Sequence, residues 1–275
     1  MPTYVVYDAK INTGTKYLTE EVAYFLGGIY AADEKVVSNG KMYWAAPVRY
    51  NPTYSTPTET AEHFDFVSSI SAKVNGYTVM KDNIKGTSLD SGKNRLPGFS
   101  TFFESTGLTE LLTEISSLKT ALFSSSKDVQ KAFIIGVIDG RGTPDASVAK
   151  QVIRYLSLDC PNNDIGSFLS DVMTNYGLDV NYNTARDRLE GGNPRKPQLR
   201  IKDVEYYMEH LGYISPAKVR KLKEIYDAKY GHSTIISGSS FLVGLKYLKG
   251  YKTWQRILFF MDLQEQERLI SYSLS

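Results

Sequence analysis

Only one cysteine, Cys160, occurs in 275 residues, so no disulfide can form within the chain and packing must hold the fold. Three histidines, His63, His210 and His232, are too few and too scattered for a zinc cage. No apolar run approaches the roughly 18 residues a membrane span needs. The opening Met1-Pro2-Thr3-Tyr4 lacks the basic and apolar regions of a secretion signal. These absences lead to the expectation of an intracellular, cytoplasmic protein with no membrane partner. An excess of one charge is missing too: 32 Lys and Arg stand against 30 Asp and Glu, a net of +2. Taken alone, that balance argues against a polyanionic partner. What is present is ordinary globular material, 42% hydrophobic and 23% charged, which excludes disordered, collagen-like and coiled-coil classes. The length fits one large domain or two small fused ones.

The near-neutral total hides a polarised distribution. Residues 1–34 carry Lys10 and Lys16 against five acidic residues, a net of −3. Residues 215–256 carry nine basic residues against Glu224 and Asp227, a net of +7. A basic pole of this kind suits a polyanion, although a solvated helix surface has the same composition.

Two stretches of the chain read alike. TEEVAYFLGGIYAADE, from Thr19 to Glu34, and SKDVQKAFIIGVIDGRG, from Ser126 to Gly142, each open with a hydroxyl residue placed to cap a helix. Acidic residues follow in the first turn, and each stretch then becomes almost wholly apolar. Near each end a pair of small residues recurs at i and i+4: Gly28 with Ala32, and Gly136 with Gly140. That spacing puts each pair on one helix face and lets two backbones approach closely. Glycine inside a helix costs ~1 kcal/mol relative to alanine, and two unrelated buried helices would not explain its recurrence at matching places.

The segments after each helix also correspond. Strand-like residues 41–51, a helix over 57–74 and strand-like residues 76–81 follow the first. Strand-like residues 148–158, a helix over 163–176 and strand-like residues 178–188 and 198–202 follow the second. Further helices are predicted over 108–122, 203–211 and 215–230. The fold class is therefore α+β. The chain divides into an extension at 1–17, a first repeat at 18–123, a second at 124–232 and a basic helical tail at 233–275. Two packed motif helices and the strands of both halves would form one pseudo-symmetric unit.

With these residues in view, the chain resembles the LAGLIDADG homing endonucleases in their single-chain, two-repeat form. Gly28-Ile29-Tyr30-Ala31-Ala32-Asp33 fits the signature through its acidic position; Gly136 to Gly142 fits everywhere except there, because Arg141 replaces the acid. The tail KDVEYYMEHLGY, followed by Lys218 and Lys221 in SPAKVRKLKEI, is similar to the family's closing segment of a repeat.

The resemblance implies a monomer that binds double-stranded DNA, with strands forming a saddle over the major groove and the helix ends over the minor groove. It also implies Mg²⁺ or another divalent cation held by carboxylates that cut phosphodiester bonds. Carried over, Asp33 is the metal ligand and catalytic acid of the first repeat, and Lys202, on the stretch before a closing helix, is the basic catalytic residue. Arg141 marks a degenerate catalytic position, since a guanidinium cannot ligate a cation. Asp139, two residues earlier, matches a common acid of the motif but points about 200° away, which suits a cap or hydrogen-bond acceptor. Strand-borne Arg49, Lys81, Lys85, Arg154, Arg186, Arg188 and Arg200 are the candidate DNA contacts, arginine for guanine edges and lysine for phosphate. Three outcomes stay open: cutting or nicking with Asp33 alone, Arg141 standing in for metal charge, or a nuclease-dead DNA regulator or intron RNA maturase.

Overall fold

The computed structural model describes residues 18–38, 41–49, 55–56, 58–60, 62–64, 66–67, 70, 80–84, 98–103, 108–147, 152–184, 196–220 and 224. Helices α1 (Glu20–Ala32) and α4 (Lys127–Arg141) begin where the hydroxyl residues predict: Thr19 Oγ1 accepts from Val22 N, and Ser126 Oγ accepts from Val129 N. Ten of 13 positions in α1 and 11 of 15 in α4 are buried, so both run through the interior rather than along the surface. Among the described residues they form the most extensive helix–helix packing.

A strand pair follows each of these helices, and two four-stranded antiparallel sheets result. The first, β1 (Lys35–Ser38), β2 (Lys41–Arg49), β3 (Met80–Ile84) and β4 (Gly98–Phe103), has the order β1-β2-β4-β3. The second, β5 (Thr143–Ser147), β6 (Val152–Asp159), β7 (Val180–Asn183) and β8 (Gln198–Ile201), has the order β5-β6-β8-β7. The two orders are the same. In the second sheet Leu156, Leu158, Leu199 and Ile201 are buried, while Tyr155, Ser157 and Arg200 alternate onto the more open face. In the first, Trp44 and Val48 of β2 enter the core beside α1.

The remaining helices are α2 (Thr109–Thr113), α3 (Ile115–Phe123), α5 (Asn163–Tyr176) and α6 (Val204–His210), with further helical backbone at 58–60, 62–64 and 216–220. Asn162 caps α5 through its side chain, and Gly177, at φ +116°, ends it with its N–H on Met173 O. Phe168 of α5 reaches both central helices, its ring 5.5 Å from Tyr30 and 5.8 Å from Phe133.

Three local expectations change. The helix predicted over 108–122 breaks at Glu114, which is extended (φ −118°, ψ 101°) and whose carboxylate accepts from Ser117 Oγ. Serines offer such side-chain alternatives to the helical ladder. Strands β1 and β5 were not anticipated, because four and five residues give little periodicity and TPDAS contains poor strand formers. An edge position tolerates Pro144. The extension at 1–17 and the tail at 233–275 lie outside the described residues.

Candidate functional site

The site grows from the way α1 and α4 cross. A Cβ placed on Gly27 would collide with the carbonyl oxygen of Phe133, and one on Gly136 with the carbonyl oxygen of Tyr24. Backbone meets backbone at these two positions. Gly28 and Gly140 sit beside the crossing with more room, their nearest approaches being 3.8 Å to Gly136 O and 3.4 Å to Ala31 Cβ and Gly28. Of the expected interface residues, Gly28, Gly136 and Gly140 lie at the crossing; the closest approach in α1 is made by Gly27, and Ala31 rather than Ala32 stands beside Gly140 with Gly28. Two adjacent glycines carry no local sign of which one faces the partner helix.

Close crossing brings the two C-terminal ends together, and they are finished differently. Asp33 adopts the left-handed conformation (φ 48°, ψ 43°), which aspartate tolerates better than most residues, and donates its N–H to Ile29 O at 2.8 Å. Its carboxylate is partly exposed and stands 3.1 Å from Lys35 Nζ. It borders a cavity of about 150 Å³ whose lining includes Tyr30, Lys35, Trp44 and Asp164. Burial, with the nearby Asp33 charge, pushes the Tyr30 phenol well above its usual range, and its hydroxyl donates to Leu111 O at 2.6 Å.

Arg141 closes α4. Its Nη2 lies 3.3 Å from Ala32 O and 3.5 Å from Glu34 Oε1. The cation therefore sits at the negative end of the α1 dipole, capping the helix that carries Asp33.

Asp139 points into the interior. Its Oδ2 accepts from Tyr24 Oη at 2.9 Å, Ile214 N at 3.0 Å and Ser215 N at 3.2 Å. Burial raises its carboxyl to about 6 against the pull of nearby Lys218 and these donors. Tyr24 Oη also lies 2.8 Å from His63 Nε2, and burial, with the Lys218 charge, lowers that imidazole to about 3. Lys218 Nζ in turn donates to Ile138 O (2.5 Å), Asp139 O (2.7 Å) and Gly142 O (2.7 Å). Tyr24, His63 and Lys218 were not anticipated as a group, since contacts such as Lys218 to Gly142, 76 residues apart, have no local signature.

The basic candidates are dispersed. Lys202 follows β8 directly, and its ion partner is Asp179, at 3.1 Å, rather than Asp33; both side chains are exposed. Arg200 lies over the Tyr155 ring at 4.6 Å and donates from Nε to Gln198 Oε1 at 2.8 Å, opposite Ser157 and Asn181 in register. Arg154 is exposed on β6. The backbone puts Arg49 opposite Gly98 and Lys81 opposite Thr101 in the first sheet. Lys85, Arg186 and Arg188 lie outside the described residues.

For a divalent cation, the donors near the helix ends are uneven. Asp33 supplies a carboxylate oxygen, the ligand type that hard Mg²⁺ prefers and usually takes from one or two carboxylates plus water and phosphate. Arg141 supplies none. Among the described residues no group of three or more His, Cys, Asp or Glu is gathered as a metal site.

No family model and no curated protein matches the chain. Solved structures of similar shape include the homing endonuclease I-DmoI in complex with DNA and Mn, at 12% identity over 70% of this chain and 96% of that one, with a TM-score of 0.40. The I-DmoI complex with DNA and Ca aligns at 12% identity over 74% and 98%, with a TM-score of 0.45. Full-length DUF199/WhiA from Thermatoga maritima aligns at 10% identity over 92% of this chain and 69% of that one, with a TM-score of 0.41. Similarity at this level does not assign a family. Among the described residues, no helix is long and apolar enough to cross a membrane.

Proposed function

We propose that the chain is a sequence-specific double-stranded DNA-binding protein of the homing-endonuclease kind. It retains one catalytic acid, Asp33, and cuts one strand in a Mg²⁺-dependent reaction. The observation that carries this reading is the glycine-mediated crossing of α1 and α4, which sets Asp33 at one helix end and Arg141 at the other, bonded across to Ala32 O. The motif resemblance and the matching order of the two sheets support two fused repeats acting as a monomer.

Mg²⁺, when bound, supplies positive charge at the phosphoryl oxygens and a more acidic water. Asp33 would hold it, with Lys35 as the competing cation that has to move aside. Arg141 would contribute charge to a neighbouring phosphate through guanidinium hydrogen bonds and leave the second strand without a metal ligand. The polar face carrying Tyr155, Ser157, Asn181, Gln198 and Arg200 has the donor and acceptor variety that base edges require. Lys202 and Arg154, both exposed, suit phosphates.

The test begins with selection of a bound duplex from a random pool. Incubating that duplex with Mg²⁺ should give a nick in one strand, lost in Asp33→Asn with binding retained. Arg141's commitment to Ala32 and Glu34 favours one second reading, a DNA-binding regulator or intron RNA maturase without nuclease activity. Site-specific binding with no Asp33-dependent cut would establish that reading, and a comparison of duplex DNA with structured intron RNA would tell its two forms apart.

A further inference from the structure

The end of α4 has no left-handed glycine to turn its last carbonyls onto backbone N–H groups: Gly142 is extended (φ −70°, ψ 140°) and returns a single bond, from its N–H to Ile138 O. The carbonyls that a helix C-terminus leaves unmet therefore need donors from elsewhere. Lys218 supplies part of that need, one ammonium meeting the carbonyls of Asp139 and Gly142 and adding a second donor to that of Ile138. The grip is mutual, because the Asp139 carboxylate takes the N–H groups of Ile214 and Ser215, immediately before the turn that carries Lys218. Two residues further on, Arg220 reaches Glu59 of the first half with Nε at 2.8 Å and Nη2 at 3.3 Å, which fixes the 216–220 turn from the other side.

The clamp does not stop at α4. Arg141, the last residue of the clamped helix, caps α1 at Ala32 O, and the next residue of α1's end is Asp33. Each helix end is thus finished by a cation from much further along the chain: Lys218 on α4, and Arg141 on α1.

We propose that Lys218 is a positioning residue for Asp33, acting through the end of α4 and Arg141. The value of placing Asp33 rests on the function proposed above; the relay itself does not, so a metal-free readout is used. Amide hydrogen exchange is to be followed at Gly142, Asp33 and Gly177 in the full chain and in Lys218→Met, Arg141→Met and the double variant. The last amide, on α5, reports global opening.

Lys218→Met should speed exchange about tenfold or more at both Gly142 and Asp33, because three charge-assisted bonds are lost and one alone is worth about that factor, with Gly177 unchanged. Arg141→Met should speed Asp33 alone, and the double variant should add nothing further at Asp33. Acceleration confined to Gly142 would reduce Lys218 to a cap on α4 and overturn the proposal, as would additive effects at Asp33 or equal loss at Gly177. If Lys218→Met does not fold, Lys218→Gln, which keeps a donor, takes its place with the same pattern at smaller size. Asp33→Asn tests the nuclease reading separately: the relay can hold while cutting is absent, and the reverse.

Discussion

The ends of α1 and α4 lie side by side and do opposite things. At the α1 end a carboxylate faces a cavity, partly exposed and paired with Lys35. At the α4 end the equivalent position is a guanidinium turned back onto its neighbour, and the acid two residues earlier is buried in a network with Tyr24, Ile214 and Ser215. One end is open to a ligand, and the other is occupied by the protein itself. A shared helix-strand-strand plan therefore does not give two equal sites: the backbone crossing is common property, and a single side chain at each end decides what can bind there.

The comparison is broken most severely at the crossing. Gly136→Ala and Gly27→Ala each force a Cβ into backbone of the partner helix and should cost about 3 kcal/mol in urea denaturation, whereas Gly28→Ala should stay within about 1 kcal/mol of wild type. Equal losses at Gly27 and Gly28 would refute the register of the crossing.

The buried network beneath the α4 end gives the next largest effect. His63 has its folded pKa lowered from 6.5 to about 3, so its contribution is lost as pH falls below 6.5. Asp139 has its own raised from 3.8 to about 6, so its contribution is present at low pH and lost as pH rises through 6. The two oppose each other between pH 6 and pH 4. In His63→Gln only the Asp139 effect remains, and the melting temperature should rise from pH 7 to pH 4.5 relative to wild type. A parallel pH profile for the two proteins would contradict the assignment.

Arg141→Asp makes the two ends alike. Loss of the cation at the α1 terminus should cost about 0.5 to 1 kcal/mol. In exchange the α4 end gains a carboxylate, and if the proposed nicking activity holds, the single-strand cut should become a double-strand break in Mg²⁺. The smallest effect is expected far from either end: Lys202→Ala breaks an exposed pair with Asp179, should change stability by less than about 0.5 kcal/mol, and should lower the salt slope of DNA binding by about one.

Much of the local structure could be read from the chain. Thr19, Ser126 and Asn162 cap the helices they precede, Gly177 ends α5, and the alternation in β8 buries Leu199 and Ile201. These features depend on neighbours within four residues, so local sequence suffices. Strands β1 and β5 escaped because their pairing with β2 and β6, not their own composition, holds them extended.

The candidate site divides in the same way. The sequence by itself determined that two small-residue helices recur, that Asp33 ends one and that Arg141 stands where the other would carry an acid. Only the tertiary structure decided that Gly27 rather than Gly28 makes the close approach, that Arg141 spends its charge on Ala32 O and Glu34, and that Lys218 secures the end of α4. The physical reason is range. Caps and periodicity act within a helical turn, while a clamp needs an ammonium and three carbonyls that are brought together only when the core between them has closed.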